Sequence, residues 1–335
     1  MVSDNALMKT ALASAWAYQG LTFPNPAVGA LLSDDNGNII SVGAHQSAGF
    51  PHAEVEALKG AYIKLTGDNS LEKIQNSSEI HSFLSKHHNN IFSSLTLHVT
   101  LEPCHHQGKT PPCSQLIKTL GLKKVVIGSR DLSIHAQGGG SFLENNGIKV
   151  VWDCLRKECD ELLSPFLTWQ NHQPFIFFKL ALSANEVASG GIITSETSRR
   201  MVHTLRDKCD LLVIGGNTVR IDRPLLDARL CDGRAPDILI YSRSNDFDRS
   251  IPLFSVKNRK ILIENSLEKL QQYKMIMIEG GQEMLNSIEQ HIQWYLIFRS
   301  PREKEGRKVI LPLNLREVFS QKIGEDTMGW YKKDA

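Results

Sequence analysis

The sequence predicts an α/β protein folded as two domains, and three observations carry that expectation. Its 335 residues, 41% apolar and 22% charged, suffice for two separate hydrophobic cores. Short β-type runs alternate with helical runs in both halves, the pattern of sheets layered with helices. Residues 164–174 bring two prolines and mixed polarity just before a fresh strand begins at Phe175, as a domain boundary would. Sequence repeats between the halves are absent. With 38 Lys and Arg against 36 Asp and Glu, the formal charge of +2 favours a small ligand over nucleic acid or a membrane surface.

Element by element, residues 4–19 place Leu7, Met8, Ala11, Leu12, Ala15 and Trp16 at helical spacing, with Gly20 to stop the helix. Residues 27–32 and 39–42 flank Asp34-Asp35-Asn36-Gly37-Asn38, a hairpin turn composition. Strands follow at 95–101, 124–127 and 148–152, with helices at 52–65, 112–120, 141–146 and 154–163. The polar stretch 67–90 reads as a surface insertion, and its paired His87 and His88 as part of a solvated loop. Beyond the boundary, strands are expected at 175–182, 211–214, 238–241, 260–263, 275–278 and 294–298, and helices at 195–209, 266–273 and 282–290. The most apolar run, 175–184, is too short for a bilayer span and is broken by Lys179. The first residues, with Asp4 and Lys9 among alanines, have no signal-peptide character, so a cytoplasmic protein is expected.

Six cysteines, at 104, 113, 154, 159, 209 and 231, are too sparse for a disulfide framework and suggest metal binding or burial. Two of them join His52-Ala53-Glu54 in the strongest chemical pattern of the chain: Pro103-Cys104 lies about fifty residues downstream, and Cys113 follows Pro111-Pro112. One imidazole and two thiolates suit a catalytic Zn2+, because three protein ligands leave a fourth tetrahedral position open. Glu54 is then the proton carrier. Residues two apart on a helix point to nearly opposite sides, so His52 and Glu54 share a site only if His52 caps the helix. Cys113 likewise falls at a helix start, where free N–H groups favour a thiolate. This is the general pattern of zinc nucleobase deaminases, although eight residues separate the cysteines where two are usual. The longer loop adds His106 and Lys109, suited to a substrate phosphate or ring.

The segment Leu101-Glu102-Pro103-Cys104-His105-His106-Gln107-Gly108-Lys109-Thr110-Pro111-Pro112-Cys113, with Pro51-His52-Ala53-Glu54-Val55 and Pro24-Asn25-Pro26-Ala27-Val28-Gly29, resembles the bifunctional riboflavin-biosynthesis deaminase/reductase family. The resemblance spans nearly the whole chain. It implies a cytidine-deaminase-like three-layer domain over 1–150 and a dihydrofolate-reductase-like domain over 151–335. It also implies hydrolysis of an amine on a phosphoribosyl pyrimidine, then NADPH-dependent reduction of the ribosyl chain to ribityl. By position, Asn25, His45, His106 and Lys109 match the family's deaminase substrate residues. On sequence alone, Asn25 serves equally to hold a turn and His45 equally as a surface histidine.

In the second half, Lys179 places an ammonium within an apolar strand, which is costly unless it faces a cavity or a partner. The resemblance makes Lys179 catalytic and assigns substrate roles to Arg206, Asp222, Arg229 and Glu279. Planar guanidinium groups suit a phosphorylated ligand. Gly280-Gly281 follows a strand and opens a helix, the place where α/β folds take phosphates. Thr194, Ser195 and Gly215 look like further cofactor-lining positions, with Thr194 or Ser195 equally suited to cap a helix. Departures from the family pattern collect here: Arg223, Asn185-Glu186, Asn217 and Ile192 replace its usual residues, as Asp131-Leu132-Ser133 does in the first half. Two other readings stay open at this point. One is a deaminase whose second half only binds ligand or mediates oligomerisation; the other, resting on basic runs at 257–260 and 302–308, is a nucleic-acid base deaminase. The preferred expectation is a homo-oligomer acting on a small molecule, with no nucleic acid and no membrane.

Overall fold

A computed structural model describes residues 2–106, 108, 111–132 and 137–334. Lys109 lies outside the described residues. The chain divides into two compact units, 1–170 and 171–335. No helix among the described residues is long and apolar enough to cross a membrane.

The first unit runs α1 (Asp4–Trp16), β1 (Gly29–Ser33), β2 (Ile39–Ala44), α2 (Ala53–Thr66), α3 (Ser77–His87), β3 (Thr96–Leu101), α4 (Cys113–Leu120), β4 (Lys124–Ser129), α5 (Gly139–Asn145), β5 (Lys149–Val151), α6 (Arg156–Leu162) and α7 (Ser164–Gln170). Its five strands lie in the order β2-β1-β3-β4-β5, antiparallel at β2-β1-β3 and parallel from β3 onward. Ser3 caps α1 by accepting from the N–H of Ala6, and the six apolar residues at helical spacing form its buried face. α1 sits so close to β1 that a Cβ on Gly29 would stand 1.9 Å from the carbonyl oxygen of Ala11. α2 to α5 cover the opposite face, where Ala30, Leu32, Leu97, Val99, Val125 and Ile127 meet Leu58, Leu84, Ile117 and Leu143. The result is a helix–sheet–helix sandwich of three layers.

The stretch expected to be a solvated insertion is mostly helix. α3 is capped by Asn76, whose side chain accepts from Glu79, and buries Ile80, His81 and Leu84 against the α2 layer. Its few apolar residues are spaced for one narrow stripe, which polar neighbours mask in the sequence. The division between units also falls later than the 150/151 limit drawn from sequence, inside the proline-bearing stretch. α6 packs on the first sheet, with Cys159 and Leu162 buried. Gln19 donates to the carbonyl of Leu162 at 2.6 Å, tying this region to the end of α1.

The second unit comprises β6 (Phe175–Leu182), α8 (Glu196–Lys208), β7 (Leu211–Gly215), α9 (Gly216–Asp222), β8 (Asp237–Tyr241), β9 (Ile261–Glu264), β10 (Met275–Glu279), α10 (Gln282–Ile288), β11 (Trp294–Arg299), β12 (Leu315–Ile323) and β13 (Asp326–Lys333). Eight strands lie in the order β12-β13-β11-β6-β10-β7-β8-β9. Six are mutually parallel, and the β12–β13 hairpin adds antiparallel on β11. The hairpin has no counterpart in the sequence reading, because charged residues occur on both faces of its edge strand. The helix expected at 266–273 is a 3-10 turn, Glu268–Gln272, held by a single buried apolar residue, Leu270.

Leu84 is fully buried in the first unit's core. Leu84→Ala should therefore lower that unit's stability by about 2–5 kcal/mol. A urea unfolding midpoint equal to wild type would show that α3 is not packed.

Candidate active sites

Three soft donors converge where α2 and α4 begin. His52 is the N-cap of α2, at φ −69° and ψ 160°, so its ring leaves the helix on the same side as Glu54 in the first turn. Cys113 opens α4 behind the N-cap Pro112, and Cys104 follows the end of β3. His52 Nδ1 lies 3.7 Å from Cys104 Sγ and 3.4 Å from Cys113 Sγ, and the donor atoms of all three residues fall within 4.8 Å of one another. A tetrahedral zinc with Zn–N near 2.0 Å and Zn–S near 2.3 Å sets its nitrogen and sulfur ligands about 3.6 Å apart. The donor set therefore fits zinc in both element type and spacing. Cys113 stabilises the Cys104 thiolate through hydrogen bonds from its thiol and from its N–H, the latter at 3.4 Å, and the neighbouring His52 adds to this. The Cys104 thiol is thus held well below its ordinary range.

Glu54 is buried beside this triad, and burial pushes its carboxyl up to about 7. A cavity of about 500 Å³ opens on His52, Glu54 and Cys104 and is also lined by Asn25, His45 and His106. His45 Nδ1 meets the carbonyl of Pro51 at 3.0 Å, which requires a proton on Nδ1. Its Nε2 then accepts from the Asn25 amide at 3.0 Å, which orients that side chain. Burial lowers the His45 pKa, consistent with this neutral tautomer. His45 is buried rather than a surface histidine.

Sequence reasoning missed the residue that organises the far rim. Glu102, buried, accepts from the backbone N–H of Asp131 at 3.1 Å, Gly138 at 3.1 Å and Gly140 at 2.9 Å. It gathers the loop beside the cavity, and only the fold reveals such backbone partners. Gly139, the first residue of α5, presses on β3's exit, since a Cβ there would lie 1.8 Å from the Pro103 carbonyl. Phe50, Phe166 and the first turn of α3 line other parts of the cavity and were likewise not anticipated. The remaining four cysteines take no part: Cys154, Cys159 and Cys209 are buried, and burial pushes their thiols up, Cys154 to about 11, while Cys231 is exposed in the second unit.

In the second unit, three predicted residues form one buried cluster. β6 and β10 pair in parallel with Lys179 opposite Glu279, and Lys179 Nζ reaches a Glu279 oxygen at 3.3 Å. Arg206, in the last turn of α8, grips the same carboxylate with Nε at 3.0 Å and Nη2 at 3.1 Å, and donates Nη1 to the Asp227 carbonyl. Burial alone would raise the Glu279 carboxyl, but Arg206 and then Lys179 outweigh it and hold it down at about 2. Arg229 stands further out, more than half exposed and paired with the Asp227 carboxylate. Asp222 closes α9 at the surface and makes no hydrogen bond or ion pair to the cluster among the described residues. Ser195 caps α8, and both its N–H and its hydroxyl donate to buried Asp326 on β13. Thr194 is buried beside it. Gly215 and Gly280-Gly281 end the neighbouring parallel strands β7 and β10, with nothing within 4 Å of a Cβ placed on Gly281. Backbone open on that side fits the close approach of a cofactor phosphate.

Comparison with known proteins assigns these units to described types. Residues 1–129 match the cytidine and deoxycytidylate deaminase zinc-binding region, and residues 181–311 match the RibD C-terminal domain. Deaminase and reductase units in one chain define a two-part α/β enzyme. The chain belongs to the RibD family of riboflavin biosynthesis proteins, being 30% identical to the RibD protein of Aquifex aeolicus over 98% of each chain. It is 34% identical to the Synechocystis RibD protein over 78% of this chain and 66% of that one. A Thermotoga maritima crystal structure, described as a diaminohydroxyphosphoribosylaminopyrimidine deaminase/5-amino-6-(5-phosphoribosylamino)uracil reductase, superposes with a TM-score of 0.63 at 26% identity, covering 99% of both chains.

Removing the carboxylate between Lys179 and Arg206 leaves two buried cations without their partner. Glu279→Gln should cost the second unit about 3–5 kcal/mol near pH 7. Because the folded-state pKa of Glu279 is depressed from 4.5 to about 2, its contribution is complete above pH 4.5 and is lost as pH falls toward 2. Denaturation at a series of pH values should show this acid-side loss in wild type and its absence in the variant.

Proposed function

We propose that the first unit hydrolyses an exocyclic amine from a phosphoribosylated diaminopyrimidinone, and that the second reduces the ribosyl chain of the product to ribityl with NADPH. The observation that carries this reading is the convergence of His52, Cys104 and Cys113 beside buried Glu54, in one cavity of a chain from the RibD family. His52, Cys104 and Cys113 would hold zinc, which when bound supplies the Lewis acidity that makes water a competent nucleophile near neutral pH. Glu54 takes a proton from the attacking water onto its carboxylate and returns it to the exocyclic amine, which departs as ammonia. Asn25, fixed by His45, presents its remaining amide groups to the pyrimidine, and His106 adds a further polar contact. Lys109 is assigned to the same substrate by the family pattern.

In the second unit, NADPH supplies hydride when bound. Gly215, Gly280, Gly281, Thr194 and Ser195 form the proposed cofactor edge, where parallel strands end. Lys179 carries the proton taken up by the sugar oxygen as the ring opens, and Glu279 holds the lysine charged and in place. Arg206 and Arg229 face the phosphorylated substrate, and Asp222 completes the set from the end of α9. The chain is proposed to act as a cytoplasmic homo-oligomer on this small molecule and not on nucleic acid, in keeping with its near-neutral charge.

Glu54→Gln should retain zinc by elemental analysis while ammonia release falls by about 10²–10⁴-fold. Loss of the metal together with activity would contradict the proton-carrier role. NADPH oxidation with the deaminated intermediate tests the second step; an unchanged NADPH absorbance would confine the chain to deamination.

A further inference from the structure

The segment between α2 and β3 contributes to the wall of the deaminase cavity. Asn76, Ser77 and Ser78 line the same 500 Å³ space as His52, Glu54 and Cys104. α3, eleven residues long, begins at Ser77, and its first turn holds donors that the fold leaves unused. The Asn76 side chain accepts the N–H of Glu79, and the Asn76 carbonyl takes that of Ile80. The N–H groups of Ser77 and Ser78 occupy helix positions that have no intrahelical acceptor. Ser77 is only 7% exposed, yet its hydroxyl has no hydrogen-bond partner. A buried hydroxyl left in this state is costly unless a ligand or a water completes it. Free N–H groups at a helix start, joined by hydroxyl donors, have the chemistry of a phosphate seat. Glu79 in the same turn is exposed, which weakens its opposition.

We infer that the first turn of α3 receives the 5'-phosphate of the deaminase substrate, with Ser77 and Ser78 as specificity-determining residues. This rests on the phosphoribosyl substrate proposed above. It divides labour in the cavity: the triad and Glu54 act on the amine, while α3 selects the phosphorylated form.

Proline makes a selective probe at position 77. It is accepted at the first position of a helix, and Asn76 at φ −75° and ψ 117° already has the backbone that precedes proline. Ser77→Pro thus removes both the N–H and the hydroxyl, whereas Ser77→Ala removes the hydroxyl alone. In the zinc-loaded full chain, Ser77→Pro should raise KM for the phosphorylated substrate about tenfold or more, the worth of a charge-assisted hydrogen bond. Ser77→Ala should raise it less, and neither change should weaken the dephosphorylated analogue comparably. An equal rise for both substrates, or none, would overturn the assignment. Hydrogen exchange supplies a reading independent of turnover: ribose 5-phosphate, but not ribose, should slow exchange at the amides of residues 77–80. Unaltered exchange there in an enzyme that releases ammonia would sink the α3 seat and leave the deaminase reading intact. Protection there in a chain that releases no ammonia would do the reverse.

Discussion

Both sites depend on a carboxylate taken out of water and then fully partnered. Burying such a charge is prohibitive on its own, so the surrounding groups must be drawn to it. In the first unit Glu102 collects three backbone N–H groups, from Asp131 and Gly138 after β4 and from Gly140 in the first turn of α5. In the second, Glu279 collects the guanidinium of Arg206 and the ammonium of Lys179. One carboxylate thereby shapes a rim and the other fixes two cations. Neither site would keep its form if these oxygens were left to solvent.

The same economy appears in the secondary structure. Three helices of the first unit begin at or beside the cavity, at His52, at Cys113 and at Ser77. A cap residue is free of helical geometry, which lets the His52 imidazole and the Glu54 carboxylate share one cavity although they stand two apart in sequence. The parallel register of β6 and β10 does comparable service in the second unit by setting Lys179 directly opposite Glu279.

Much of this was legible in the sequence, because strong periodicity and close-range chemistry are local. Strand β6 was read to its ends, and the gathering of His52, Cys104 and Cys113 with His52 at a helix cap agrees with the spacing argument. The elements that escaped share a physical reason. In α3 the buried stripe is thin and set among serines, lysines and histidines, so polarity hid it. The β12–β13 hairpin carries charge along an edge strand, where no clean alternation survives. Glu102 was visible only as a letter in a motif, since its partners are main-chain groups that no side-chain pattern encodes. Ser195 shows the converse: the capping role that the sequence offered beside a cofactor-lining one is visible in its bonds, one of them to Asp326 far along the chain.

The contrast among the cysteines has a practical outcome. Three thiols sit in apolar surroundings that suppress their ionisation, and attack on alkylating reagents requires the ionised form. Cys104 beside His52 is the opposite kind, its thiolate stabilised by hydrogen bonds from Cys113, and it is poised as a nucleophile whenever no metal occupies it. Once the exposed Cys231 is replaced by serine, sulfhydryl labelling before and after treatment with a chelator would register metal occupancy against a quiet background, so that the chain carries its own gauge of how much of a preparation is competent.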